Sequence, residues 1–211
     1  MLLQQVERIG QAKLVDKVLI CTSLDNSDKD IALFCQQNHI DCFRGDLSNV
    51  LDRFYQANQQ EKADHIVRLT GDCPLTDPAI IDAVISQHLA QQNDYTSNCH
   101  PYTLPDGLDV EIIKKEVLND IWQRAKAPHY QEHVTLFINH HPEQFKRGNY
   151  TYPNNYAKER WTVDYPEDFQ LVNAIYNALY QQGRCFSVEE IMLFLNNHPE
   201  IKKLNEKYIS A

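Results

Sequence analysis

Short apolar runs alternate with helical segments along the first 93 residues, and this alternation limits the fold more than any other feature. The β-rich apolar runs cover residues 18–22, 40–43 and 65–69. Apolar residues recur at helical spacing in residues 2–13, in residues 28–38 and after Ser48, which is expected to cap the third helix. Strands that alternate with helices of this length form right-handed βαβ units. The sequence therefore predicts an α/β fold with a mainly parallel sheet and helices on both faces.

The pattern is looser beyond residue 93. Residues 94–98, 108–112 and 160–164 are expected to be strands, and residues 114–125 and 131–140 helices. Pro166 should open a long amphipathic helix, and Ser187 with Glu190 forms a capping box for a last one. Since no Gly/Ser-rich linker interrupts the chain, we expect a single domain over residues 1–211.

Composition and charge exclude several classes of protein. The formal net charge of -9 argues against nucleic-acid binding, which needs clustered Lys and Arg. No apolar run approaches the roughly 20 residues of a membrane span, and no signal-peptide pattern opens the sequence. The six cysteines form no C-x-x-C pair, which indicates reduced thiols in a cytoplasmic protein. The nine histidines form no cluster with zinc-ligand spacing.

The corner after the third predicted strand is the first candidate site. Asp77 is a good N-cap and Pro78 suits the first helical position, so a helix begins there. Gly71 allows a sharp turn or the close approach of a ligand. Asp72 is then presented at the carboxyl end of a strand, where open α/β sheets place their ligands. The simpler interpretation is an ordinary strand-to-helix connection with a solvated aspartate.

A second aspartate, Asp164, lies where another predicted strand gives way to a helix. Two carboxylates about 4 Å apart repel by roughly 1 kcal/mol in water and about 4 kcal/mol at an effective dielectric constant near 20. A divalent cation between Asp72 and Asp164 would relieve that repulsion, and Mg²⁺ prefers such oxygen ligands. Alternatively, Asp164 only faces a helix N-terminus, as Glu167 and Asp168 do.

Two further acidic residues, Asp109 and Glu111, lie two positions apart in a predicted strand. Their carboxylates should therefore point to the same side of the sheet. They are either the solvated face of a surface strand or acceptors for sugar hydroxyls or a metal ion.

Six blocks of the sequence, in this order, resemble the spore coat polysaccharide F-type cytidylyltransferases. The blocks are FRGD with VLDRF (residues 43–54), RLTGDCPL (68–75), DYTSN (94–98), PDGLDVE (105–111), EHVT (132–135) and RWTVD (160–164). Those proteins resemble the CMP-sugar synthetases that activate acidic sugars such as Kdo and sialic acids. The similarity covers nearly the whole chain.

The resemblance implies a Rossmann-like nucleotide-diphospho-sugar transferase fold that transfers CMP from CTP to a sugar and releases pyrophosphate. It implies a nucleotide-side half at residues 1–93, a sugar-side half at 94–186 and a helical tail at 187–211. Asp72 and Asp164 would be the catalytic carboxylates and would hold Mg²⁺. The substrate-binding residues would be Arg53, Arg68, Gly71, Asp109, Glu111, His133 and Arg160. The resemblance and the sheet edges also suggest a homodimer.

The sequence departs from the family pattern near its beginning. The family opens with a strand and a Gly-, Arg- and Lys-rich loop that cradles the triphosphate, and residues 1–30 contain no such loop. The absent strand would be central, between the strands at residues 17–22 and 65–69. Gln131 also stands where the family usually has Arg.

Three structural explanations of that departure are open: a truncated form, a neighbouring chain that fills the gap, or two strands that close on one another. Whether this chain is catalytically competent by itself is equally open. The functional alternatives are a nucleotide-sugar-dependent glycosyltransferase and a non-catalytic remnant that serves as a subunit.

Overall fold

The computed structural model describes residues 1–209, and within that range six strands form two sheets. The strands are β1 (Ile20–Ser23), β2 (Cys42–Gly45), β3 (His65–Arg68), β4 (Tyr95–Ser97), β5 (Glu111–Lys114) and β6 (Arg147–Asn149). The longer helices are α1 (Leu2–Ile9), α2 (Lys29–Gln37), α3 (Val50–Glu61), α4 (Pro78–Gln91), α5 (Lys115–Arg124), α8 (Pro166–Leu179) and α9 (Val188–Asn197). The short ones are α6 (Pro128–Glu132), α7 (Leu136–His140) and α10 (Pro199–Lys202), with 3₁₀ turns at Asn26–Asp28 and Glu206–Tyr208.

The larger sheet is mixed, which corrects the expectation of a mainly parallel sheet. Its strand order is β3-β5-β4-β6, and β5 runs antiparallel to both of its neighbours while β4 and β6 are parallel. The connection from β4 to β5 is a loop without a crossover helix, so the chain returns in the opposite direction. The smaller sheet, β1 with β2, is parallel as predicted.

The two sheets are not joined to each other, because β1 and β3 share no ladder. Of the three explanations for the unusual beginning of the sequence, closure of these two strands on one another is therefore contradicted. Each of the two strands keeps one edge outside any described ladder.

Helices cover both faces of the larger sheet, as predicted. Ile112 and Ile113 are adjacent on β5 and fully buried on opposite faces. Ile112 belongs to the larger apolar core with α4, α8 and α9, and Ile113 belongs to the smaller core with α3, α5 and α7. No helix within residues 1–209 is both long and apolar enough to cross a membrane.

Several local signals hold in the structure and one is displaced. Asp77 caps α4 by accepting the Ala79 N–H at 2.8 Å, with Pro78 in the first turn. Ser187 and Glu190 form the predicted capping box of α9. The cap of α3 is Asn49 and not Ser48. Both of these residues donate their backbone N–H groups to the Asp46 carboxylate, so Ser48 lies in the preceding turn.

Three predicted elements are shorter or broken. The strand predicted at residues 108–112 begins only at Glu111. The Asn98 side chain donates to the Leu108 carbonyl and accepts from the Val110 N–H, so these backbone groups are not available to a ladder. The helix at residues 131–140 is two short helices, α6 and α7. Residues 160–164 form no ladder strand, and only Arg160 makes an isolated bridge, to Asp106.

Candidate functional site

Three segments of backbone meet at the predicted pair of aspartates. The Val163 N–H donates to the Asp72 carbonyl at 2.9 Å, so the residue before Asp164 is hydrogen-bonded to Asp72 itself. On the other side the Trp161 N–H donates to the Asp106 carbonyl at 2.6 Å. Residues 160–163 therefore run between the two loops that carry Asp72 and Asp106. The backbone of Asp72 is therefore adjacent to the residue that precedes Asp164, although the two aspartates are far apart in the sequence.

The buried side chains behind these segments fix their positions. Leu75, Leu108 and Trp161 are each at most 1% exposed and belong to the larger apolar core. Each lies within three residues of one of the site aspartates. The aspartates are thus at the surface of a packed core, on backbone that cannot shift freely.

Gly107, for which the sequence pattern indicates no role, allows the close approach of these segments. Its φ is +106°, and a Cβ there would lie 2.4 Å from the Thr162 nitrogen. Any other residue would collide with backbone at this point. The Pro105-Asp106-Gly107 run indicates a turn, but the sequence does not show that the backbone of Trp161 and Thr162 passes directly over it.

The turn that carries Asp72 is open toward the outside. The Cys73 N–H closes it by donating to the Thr70 carbonyl at 3.2 Å. A Cβ on Gly71 would meet no atom within 4 Å, so the glycine leaves free space and is not required by packing. Within residues 1–209 the Asp72 carboxylate accepts only a weak contact, from the Cys73 thiol at 3.4 Å.

Arg160 is surrounded by carboxylates. Nη1 donates to Asp106 at 3.0 Å, Nη2 donates to Asp164 at 2.5 Å, and Nε and Nη2 donate to Asp168 at 3.1 and 3.0 Å. Hydrogen bonds to Asp168 and then to Asp164 raise the pKa of the guanidinium, against the effect of burial. Most of its N–H donors are therefore engaged within the protein, although the family resemblance implies that Arg160 binds substrate.

Carboxylates outnumber cations at this site. Burial raises the pKa of Asp106, and repulsion from Asp164 and Asp72 adds to the rise while Arg160 opposes it. Burial also raises the pKa of Asp109 to about 6, although the Tyr102 hydroxyl donates to it at 3.1 Å; repulsion from Asp106 adds to the shift. Burial is the larger cause of both shifts and neighbouring negative charge the smaller one, and both would be relieved by a cation or a proton.

Arg68 and Glu111, two predicted substrate contacts, are bound to each other. Glu111 accepts from the Arg68 guanidinium on one oxygen and from the Tyr95 hydroxyl, at 2.6 Å, on the other. Glu111 is 7% exposed, and its partners differ from that of Asp109, which accepts from the Tyr102 hydroxyl. Of the predicted acidic pair, Asp109 is the one that lies beside the site aspartates.

Arg53 and His133 lie outside the contacts that join the site aspartates. Arg53 is on α3 and packs against β2, where a Cβ on Gly45 would lie 3.1 Å from its Cγ. Its Nε is buried, and no group within residues 1–209 accepts from it. An unpartnered buried guanidinium N–H is the kind of donor that a phosphate would satisfy. His133 is exposed at the end of α6.

The site offers oxygen ligands to a metal ion, but few of them. Across residues 1–209 no cluster of three or more His, Cys, Asp or Glu side chains is arranged to hold a metal. Asp72 and Asp164 are two carboxylates, one of them with oxygens that are nearly free. Mg²⁺ is commonly bound by one or two carboxylates, with water and substrate phosphates completing the shell, so this donor set fits it.

Known proteins are similar to this chain along most of its length. A family model described as cytidylyltransferase matches residues 1–200. The chain is 34% identical over 205 residues to an uncharacterised protein of Methanocaldococcus jannaschii, covering 95% of this chain and 81% of that protein. It is 32% identical over 188 residues to the spore coat polysaccharide biosynthesis protein SpsF of Bacillus subtilis, covering 88% and 77%.

Solved structures resemble it as well. A cytidylyltransferase from Leptospira borgpetersenii superposes with a TM-score of 0.90 at 27% identity, covering 95% of this chain and 84% of that one. CMP:2-keto-3-deoxy-manno-octonic acid synthetase, solved with CTP, gives 0.59 at 12% identity over 84% and 87% of the two chains, a likeness of fold. The sequence resemblance and the Rossmann-like nucleotidyltransferase fold are confirmed, and the chain belongs to the cytidylyltransferase family.

Proposed function

We propose that this protein transfers CMP from CTP to a sugar, with release of pyrophosphate, at a Mg²⁺ site made by Asp72 and Asp164. The observation that carries the proposal is the hydrogen bond from the Val163 N–H to the Asp72 carbonyl, because it makes the backbone that carries the two aspartates adjacent in a chain of the cytidylyltransferase family. The repulsion of Asp106 by both aspartates supports it, because a site with surplus negative charge favours a cation.

The reaction needs positioning and charge stabilisation more than it needs a nucleophilic side chain. A sugar oxygen attacks the α-phosphorus of CTP, the new O–P bond forms, and the bond to the β-phosphate oxygen breaks. Bound Mg²⁺ would neutralise the charge that builds on the phosphate oxygens. Asp72 and Asp164 would hold the ion, and the open space at Gly71 lets a phosphate approach the turn.

The other residues that were predicted to bind substrate have different proposed roles. Arg53 would meet the nucleotide, since its buried Nε has no acceptor within residues 1–209. Asp109 would accept from sugar hydroxyls. Arg68 and Glu111 would act as an ion pair that joins β3 to β5 near Asp109, and not as direct ligands. The role of His133 stays a prediction.

An acidic sugar is the proposed acceptor, and the product would serve surface polysaccharide or glycoconjugate synthesis. SpsF is named for spore coat polysaccharide biosynthesis. The synthetase with the similar fold is named for 2-keto-3-deoxy-manno-octonic acid, which is an acidic sugar.

A thermal-shift titration with CTP, with and without Mg²⁺, tests the proposal first. Ligand at 100 times its dissociation constant adds about 2.7 kcal/mol to the stability of the folded state. For a domain of this size that is a rise in Tm of roughly 5–10 °C. Pyrophosphate release should then be measured with a panel of acidic and neutral sugars.

Asp72→Asn should abolish the Mg²⁺-dependent part of the shift, and Asp64→Asn is the matched control. Asp64 precedes β3 with its side chain 84% exposed, paired only with Lys115. No shift at millimolar CTP in the unmodified protein, with or without metal, would exclude the function. An unchanged Mg²⁺-dependent shift in Asp72→Asn would exclude the site.

A further inference from the structure

The segment from Leu204 to Tyr208 packs directly behind Asp164. The rings of Tyr208 and Tyr165 stack at 3.8 Å with an angle of 8° between their planes. Lys207 donates to Glu167 at 2.7 Å in the first turn of α8. The end of the described chain therefore lies on the beginning of the helix that follows the site aspartate.

Asn205 connects this segment to the site through hydrogen bonds. It is 1% exposed, and its Nδ2 donates to the Arg160 carbonyl and to Asp168 Oδ1, both at 2.8 Å. One amide group thus holds the backbone of the arginine and the side chain of its main partner.

Asp168 carries the connection to Asp164 in two ways. It is fully buried, and its Oδ2 accepts the backbone N–H groups of Asp164 at 3.1 Å and of Tyr165 at 3.0 Å. It also fixes Arg160 through both Nε and Nη2.

Arg160 completes the path, because the Nη2 that contacts Asp168 also donates to Asp164. The Asp164 side chain is 52% exposed and has little other support. A surface carboxylate of that kind samples several rotamers unless a neighbour fixes it. The direction of Asp164 therefore depends on the placement of Arg160, and that placement depends on Asp168 and Asn205.

We propose that Asn205 is a positioning residue for the metal site: it fixes Asp168 and Arg160 so that Asp164 is held ready to bind a divalent cation together with Asp72. The inference rests on the proposed function, since it needs Asp164 as a ligand. Replacing a residue that holds a metal ligand in place commonly lowers metal affinity by roughly 10- to 100-fold.

The test is a calorimetric titration of Mg²⁺ into the full chain at saturating CTP, in parallel with CTP titrations in EDTA. Asn205→Ala should weaken Mg²⁺ binding by about 10-fold or more. Asn205→Asp has the same shape but faces Asp168 with a second negative charge, and its loss should be larger. Affinity for CTP in EDTA should be unchanged in both, because neither variant touches Arg53.

Lys207→Ala is the matched control, since it removes a contact of the same segment with Glu167 and leaves Asn205 in place. Its Mg²⁺ affinity should equal that of the unmodified protein. An equal loss in Lys207→Ala and Asn205→Ala, or no loss in Asn205→Ala, would overturn the inference. If the unmodified protein binds no CTP, the proposed function fails instead, and the two failures are distinguishable.

If the Asn205 variants do not fold, Arg160→Lys tests the same path. Lysine keeps the positive charge but has a single side-chain nitrogen. Lysine cannot contact Asp168 and Asp164 in the same forked geometry, so Mg²⁺ affinity should again fall about 10-fold. Retained affinity in this folded variant would overturn the path through Arg160.

Discussion

Arg68 and Arg160 are both paired with carboxylates, and the two pairings differ in their balance of charge. Arg68 faces one carboxylate, Glu111, whose other oxygen accepts from Tyr95. Arg160 faces three carboxylates, two of them 52% exposed. Both arginine side chains are mostly buried, at 21% and 11% exposure, so burial alone does not distinguish the two places.

The difference separates a structural ion pair from a binding site. Around Glu111 every strong charge has a partner, and no further ligand is needed. Around Arg160 one positive charge meets three negative ones. Asp72 also repels Asp106, and Asp106 in turn repels Asp109. Uncompensated charge of one sign is costly in a folded protein and is relieved by a ligand of the opposite sign.

The largest expected effect comes from breaking the balanced pair. Glu111→Ala leaves the Arg68 guanidinium and the Tyr95 hydroxyl without their acceptor in a nearly buried place. We expect the free energy of unfolding to fall by about 3 kcal/mol. Urea denaturation followed by circular dichroism measures it. Glu111→Gln keeps an acceptor for the hydroxyl and should lose less. A loss in Glu111→Ala below about 1 kcal/mol would show that the pair is not structural.

Replacing Asp109 should raise the free energy of unfolding, opposite to the effect of Glu111→Ala, and the gain should depend on pH. Its pKa in the folded protein is about 6, above the usual 3.8, so its charged form is disfavoured by folding. That cost is absent below about pH 4 and complete above about pH 6. Asp109→Asn should therefore be about 1–2 kcal/mol more stable than the unmodified protein at pH 8 without metal, and nearly equal to it at pH 4.

Urea denaturation at the two pH values measures the Asp109 effect. Tyr102→Phe is a useful companion, because it removes the hydroxyl that donates to Asp109 and leaves the carboxyl group in place. It should lower stability at pH 8 and not at pH 4. A difference between Asp109→Asn and the unmodified protein that is the same at both pH values would contradict this assignment.

Much of the fold follows from signals within a few residues of each other. The start of α4 is set by Asp77 and Pro78, and that of α9 by Ser187 and Glu190, and both are in place. The neighbours of β5 could not be predicted in this way. The short connection at residues 99–107 is too short for a crossover helix and so indicates a reversal of direction. That β5 lies between β3 and β4 depends on contacts that are remote in the sequence.

The candidate site also contains features that local sequence predicts and features that depend on contacts remote in the sequence. Asp72 can be singled out from its own turn and the helix after it. The pairing of Arg68 with Glu111, 43 positions apart, depends on the register of β3 against β5, which no local pattern encodes. The contact of Asn205 with Asp168 is equally remote in sequence, so the tail gave no sign of its connection to the site.

The smallest expected effect tests the charge imbalance itself. Asp106→Asn removes one of the carboxylates that repel each other, while Arg160 keeps Asp164 and Asp168 as partners. We expect the metal-free protein to become more stable by about 0.5 kcal/mol, since exposed charges interact weakly. The gain should shrink as salt is raised from about 0.01 to 1 M, because the screening length falls from about 30 to 3 Å.

Denaturation at both salt concentrations measures this gain in stability, with Asp120→Asn as a control that removes an ordinary exposed pair to Arg124. That control should be neutral or slightly destabilising. If Asp106→Asn destabilised the metal-free protein as Glu111→Ala does, Asp106 would belong with the structural pair, and the contrast between the two arginines would not mark a binding site.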